Sequence, residues 1–140
     1  MLSMAEGYIT QRSKLHMNSK FLDNWAIQIR KGLLDLFVLN AIAGRRMYGY
    51  DIVRLMSSAG ALVLSEGTIY PLLSRLNHEG LIRGSLEESK EGPARKYYEL
   101  TPSGQQALAT MNEVWTSIMR GSALIAVPRP QENHDDHTIG

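Results

Sequence analysis

The feature that most restricts this chain is a change of period at Gly80. Upstream, Ile69, Leu72, Leu73 and Leu76 recur at i, i+3, i+4 and i+7, which puts them on one face of an α-helix. Downstream, Leu81-Ile82-Arg83-Gly84-Ser85-Leu86-Glu87 alternates apolar or small residues with polar ones, as a half-buried strand does. Gly80 stands between them, where a helix can close in the left-handed conformation that glycine adopts cheaply. Lys96-Tyr97-Tyr98-Glu99-Leu100 returns with strong β propensity after the charged stretch Glu87 to Pro93. A β-hairpin with a long polar tip is therefore expected to follow the helix directly. Tyr97 and Tyr98 alternate across their strand, so one should pack on the core and the other face outward.

Helical signals flank this unit. Ser65 before Glu66 and Thr68 suits an N-cap with an acidic first turn for the helix that ends at Gly80. Earlier, Phe21, Leu22, Trp25, Ile29, Leu33, Leu36, Phe37, Asn40 and Ala41 follow helical spacing from a cap at Ser19 until Gly44-Arg45-Arg46. Gly32 either divides that run into two helices or merely weakens it. A second helix fits Gly49 to Ala59, with Tyr50, Val53 and Met56 or Leu55 inward and Gly60 as its stop.

After the hairpin, Thr101 and Pro102 suit an N-cap and a first helical position. In the helix they open, Leu108, Met111, Trp115, Ile118, Ser122 and Ile125 are separated by alternating steps of three and four residues. That is a coiled-coil seam, and a second copy of the chain is its expected partner. From Ser103 to Ala126 the helix would be about 36 Å long. The order helix, helix, helix, hairpin, helix describes a mainly α fold, a winged helix-turn-helix with a C-terminal dimerisation helix. The expected divisions are a mobile arm over 1–18, the winged helix over 19–102, the dimerisation helix over 103–126 and a disordered tail over 127–140.

Composition excludes several classes of function. The 140 residues include no cysteine, which removes disulfides, thiolate metal sites and cysteine nucleophiles. The chain has only four histidines and no glycine-rich phosphate loop, and His78 beside Glu79 forms no nucleophile constellation, so an enzyme is not expected. His134, Asp135, Asp136 and His137 read as a polar tail rather than a metal site; no metal or cofactor is expected. Apolar runs such as Leu36 to Leu39 are too short to span a bilayer, and no basic stretch with an apolar core opens the chain, so the expected location is cytoplasmic. A net charge of +1 says little about partners by itself.

Several segments, in order, resemble the PadR-like transcriptional regulators: Met47-Tyr48-Gly49-Tyr50-Asp51-Ile52, Leu64 to Leu73 (LSEGTIYPLL), Arg75-Leu76, Glu79-Gly80-Leu81-Ile82, and Gly92 to Gly104 (GPARKYYELTPSG). Trp25 and Gln28 to Leu39 are also similar, so the resemblance runs from about Trp25 to Ile125. It implies a homodimeric repressor with one winged helix per subunit, responsive to small molecules or stress cues. Double-stranded DNA carrying an inverted-repeat operator is the expected partner. A winged helix that binds another protein instead of DNA is the alternative, since fold alone does not determine function.

On the third helix the buried stripe leaves Thr68, Tyr70, Pro71, Ser74, Arg75 and His78 outward, a set of hydroxyls, a phenol and a guanidinium suited to base edges and phosphates. With Ser65, those from Thr68 to Arg75 are candidate DNA contacts. Lys90, Arg95 and Lys96 bracket Gly92-Pro93 and could reach phosphates from the hairpin. Tyr48 either touches the DNA backbone or packs on the first helix. Arg45 and Arg46 read as solvated charges. Trp115 is interface core or, as the resemblance implies, the wall of a pocket for a flat hydrophobic effector between subunits.

Overall fold

Gly80 closes a helix in the way its place between the two periods requires. Its φ is +77°. The Leu81 amide donates to the Leu76 carbonyl at 3.0 Å and the Gly80 amide to Asn77 at 3.1 Å, the paired bonds of a Schellman turn. The chain leaves this turn already in a strand.

The computed structural model describes residues 19–59 and 66–126. These form α1 (Ser19–Ala41), β1 (Met47–Tyr48), α2 (Gly49–Ser58), α3 (Glu66–His78), β2 (Ile82–Ser89), β3 (Gly92–Leu100) and α4 (Pro102–Ile125). Gly60 as the expected helix stop, Ser65, the expected arm and the expected tail with His134 and His137 lie outside the described residues. Among the described residues no helix is long and apolar enough to cross a membrane.

The core is built where the apolar stripes meet. Leu36, Val38 and Leu39 from the end of α1, Ile42 just after it, Ile52, Val53 and Met56 from α2, and Ile69, Leu73 and Leu76 from α3 are buried together with Ile82 and Tyr98 from the sheet and Leu108 from α4. Removing such side chains from water is the main stabilising contribution, about 1.5–3 kcal/mol for each large aliphatic group fully buried. The fold is the mainly α winged helix expected from the sequence, with the C-terminal helix present.

One alternative left open by the sequence is decided, and three local expectations are corrected. Gly32 does not divide α1, which is continuous for 23 residues. Helical hydrogen bonds on both sides of one glycine outweigh its propensity cost of about 1 kcal/mol. Tyr50 faces outward while Gly49, Ile52, Val53 and Met56 are buried, so the inward face of α2 is rotated from the expected one. The hairpin has no long loop, because β2 and β3 extend until Lys90-Glu91 alone turn the chain. The strands accommodate the polar stretch by an irregularity between Glu87 and Ser89. Finally, Met47-Tyr48 adds a third strand, pairing antiparallel with Tyr97-Tyr98 to give the order β1-β3-β2.

One corner joins the hairpin to both neighbouring helices. The Thr101 hydroxyl accepts from the Gly104 amide at 3.0 Å, capping α4, and donates to the Gly80 carbonyl at 2.5 Å. The Thr101 amide donates to the Leu81 carbonyl at 3.1 Å. A Cβ on Gly104 would run into that same carbonyl oxygen, so only glycine permits α4 to approach the end of α3 this closely.

Candidate nucleic-acid interface

With Ile69, Leu73 and Leu76 turned inward, helical spacing directs Pro71, Ser74 and His78 toward solvent along the middle of the exposed face of α3. Pro71 removes one backbone donor, yet the helix is continuous from Glu66 to His78. Glu66 in the first turn and Arg75 and His78 in the last turn complement its dipole. Tyr70 lies on one flank of this face; Thr68 and Arg75 lie on the other.

The two flanks are held differently. The Tyr70 ring lies against Gly49 at the start of α2, where an added Cβ would stand 3.1 Å from Tyr70 Cε1. Partial burial, then the Glu66 carboxylate and the Tyr48 and Tyr50 hydroxyls, push the Tyr70 pKa up. Arg75 reaches back to α1. Its guanidinium donates to Asp35 Oδ1 at 2.6 Å and to Glu79 Oε1 at 3.4 Å. The Asp35 hydrogen bond chiefly raises its pKa. Arg75 therefore joins α1 to α3, a role that its outward position on the helix did not reveal.

Strand alternation sends the hairpin cations to opposite faces of the sheet. Lys96 lies on the inner face, with Nζ 5.7 Å from the centre of the buried Tyr98 ring. Gly84 across the strand leaves space for it, since a Cβ there would stand 2.7 Å from Lys96 Cε. Tyr98 in turn meets Tyr70 at Gly49, with Lys96 beside Tyr98 on the inner face of the sheet. Burial, with a smaller contribution from Tyr70, raises the Tyr98 pKa.

Arg95 lies on the outer face. Its guanidinium carbon is 5.2 Å from the Tyr48 ring centre, and the Tyr48 and Tyr97 rings are 5.9 Å apart in a tilted arrangement. Arg46 covers Tyr97 at 5.3 Å, donates to Ser85 Oγ at 3.1 Å and pairs with Glu87. Arg46 is exposed, as the sequence suggests, but it is tied to Ser85, Glu87 and Tyr97, which the sequence did not show. The unrecognised strand β1 was the signal for it, because that strand puts Arg46 and Tyr48 on one side of the sheet. Lys90 is apart from both groups, at the wing tip.

The seam of α4 meets two surroundings. Leu108 is buried in its own chain, and Met111 and Trp115 pack against that core. Trp115 meets Phe37 of α1 edge-on at 6.4 Å. Ile118, Ser122 and Ile125 are exposed. Leu108 is therefore core within the chain rather than part of the bare seam expected for it. Asn40, which sits within the apolar stripe of α1, exchanges two amide hydrogen bonds with Asn112 of α4 at 3.0 and 3.1 Å.

A three-helix core with an exposed third helix, a two-stranded wing and cations on both wing faces defines the winged-helix fold. Residues 38–110, just over half of the chain, match the model of the transcriptional regulator PadR-like family, and the chain belongs to that family. A transcriptional regulator of Mycobacterium tuberculosis is 33% identical over 81 residues, which span 58% of this chain and 74% of that one. Among solved structures, a PadR-like transcriptional regulator from Bacillus cereus superposes with a TM-score of 0.67 at 34% identity, covering 73% of this chain and 99% of that one. A PadR-like transcription factor from Bacteroides fragilis gives 0.63 at 35% identity, covering 74% and 99%. The chain is a DNA-binding transcriptional regulator, and its family is not enzymatic.

Proposed function

We propose that the protein is a homodimeric repressor that leaves an inverted-repeat operator when a flat hydrophobic effector binds between its subunits. The observation that carries this reading is the bare apolar second half of α4. Ile118 is 56% exposed and Ile125 88% exposed. Phe21, Trp25 and Ile29 on α1 are exposed as well. Pairing two copies through α4 removes much of this surface from water.

In the proposed complex each α3 enters a major groove, with Thr68, Tyr70, Pro71 and Ser74 toward base edges. Lys96 faces the backbone strand from the inner side of the sheet, and Tyr48, Lys90 and Arg95 meet phosphates from the outer face and tip of the wing. Arg75, paired with Asp35 and Glu79, fixes α3 against α1 and so sets how the helix is presented to the groove. Trp115 stands where α4 leaves its own core for the partner, and an aromatic ligand there would alter the angle between the subunits. The third helices ride on that angle through the Thr101 corner, so a small rotation changes their separation. Operator DNA must lower effector affinity by the same factor that the effector lowers DNA affinity.

Selection of bound fragments from random duplex, followed by sequencing, tests the reading. Inverted half-sites about 34–36 Å apart, or a multiple of that, are expected. Recovery of asymmetric single sites alone would contradict the dimer. The effector is sought by quenching of Trp115 fluorescence in a Trp25→Phe background, with and without operator. If no flat hydrophobic compound quenches it, the pocket is not at Trp115.

A further inference from the structure

Glu87 and Arg95 stand directly opposite each other on β2 and β3. Side chains in such a cross-strand pair are within reach, and opposite charges attract. The structure nevertheless separates them. Glu87 pairs with Arg46, which approaches from the start of β1 and is held by the Ser85 hydroxyl and the Tyr97 ring. Arg95 rests on the face of Tyr48. Among the described residues no carboxylate pairs with it.

We propose that Arg46 is a positioning residue that holds Glu87 away from Arg95 and so keeps the Arg95 guanidinium available to the phosphate backbone. A guanidinium bound to a carboxylate must break that pair before it accepts a phosphate, and the released carboxylate then repels the incoming anion. A guanidinium stacked on an aromatic face keeps its N–H edge open for hydrogen bonding. Tyr97 links the two arginines, since it carries Arg46 on one side and lies beside Tyr48, the platform of Arg95. The outer face thus sorts its charges: one arginine neutralises the wing's acid, and the other is left for DNA.

This inference rests on the reading that Arg95 touches phosphate, and the experiment separates the two. Binding of the full chain to a random-sequence duplex is measured by fluorescence anisotropy over a range of salt concentrations. Arg95→Ala is expected to make the log–log salt slope shallower by about one. Arg46→Gln is expected to do the same and to weaken binding about three- to tenfold. Adding Glu87→Gln to Arg46→Gln should restore both slope and affinity, because no carboxylate is left to capture Arg95. Adding Glu88→Gln instead removes the same charge from the neighbouring position and should restore neither.

If Arg46→Gln leaves the slope unchanged, or if Glu87→Gln fails to rescue it, the positioning role is wrong; the second result assigns Arg46 to phosphate directly. Rescue by Glu88→Gln as well would reduce the effect to net charge and also overturn it. An unchanged slope for Arg95→Ala would remove the phosphate contact itself, and the inference with it.

Discussion

From Gly104 to Trp115, α4 lies against the end of α1 and the corner at Leu81; from Ile118 to Ile125 its apolar side chains are largely exposed among the described residues. Both halves follow one spacing, and nothing in that spacing marks where the surroundings change. A heptad specifies that a stripe will be covered but not by what. Asn40 meets Asn112 and Phe37 meets Trp115, so α1 runs antiparallel to α4, and the core residues at its end, from Leu36 onward, pack against only the first half of α4. The first half of α4 therefore belongs to the stability of the winged helix, and the second half is the surface assigned above to a partner.

The sharpest way to break this contrast is at its most crowded point. Gly104→Ala drives a Cβ into the Leu81 carbonyl, and backbone on both sides cannot yield as a flexible side chain could. A loss on the order of 4 kcal/mol is expected by chemical denaturation, with the corner hydrogen bonds of Thr101 lost too. A variant of unchanged stability would mean that α4 can stand off from the wing. Next in size, Leu108→Ala should cost about 3 kcal/mol by leaving a cavity in the chain's own core.

Ile118→Asp probes the other half. It should leave the folded chain's secondary structure intact by circular dichroism and raise the dimer dissociation constant at least about tenfold, roughly 1.4 kcal/mol. Sedimentation showing an unaltered dimer would place the partner surface elsewhere. The smallest effect is expected at the junction, where Asn112→Ala leaves Asn40 without its reciprocal partner. Both amides are accessible to water, so a loss of about 1 kcal/mol is expected from denaturant titration. A loss several times larger would show that the amide pair, rather than the apolar contacts, sets the register of α1 against α4.

Much of the fold was legible residue by residue. Gly80 ends α3 and Thr101-Pro102 begins α4 because capping depends on a few adjacent backbone groups, which local sequence controls. That one of Tyr97 and Tyr98 is inward and the other outward followed from alternation, and the structure buries Tyr98. The misreadings share a cause. Two residues, Met47-Tyr48, form a strand only because β3 offers an unpaired edge, and without that strand the place of Arg46 is invisible. The Glu87–Pro93 stretch looked like a loop by composition, but cross-strand pairing extended the strands through most of it. Arg75 was legible as an outward residue on its helix; its hold on Asp35, forty positions away, was not.

The sequence by itself determined the elements, their order, the helix and strand periods, and through the ordered motifs the family. Those properties depend on local sterics, capping and burial periodicity, all of which act over a few residues. The tertiary structure decided which stripe covers which: that Leu108 belongs to its own chain, that Asn40 answers Asn112, and that Glu87 faces Arg95 yet binds Arg46. Such choices turn on distances between segments far apart in the chain. A side chain's partner is set by what folding brings within a few ångströms of it, and residue type and spacing do not carry that information.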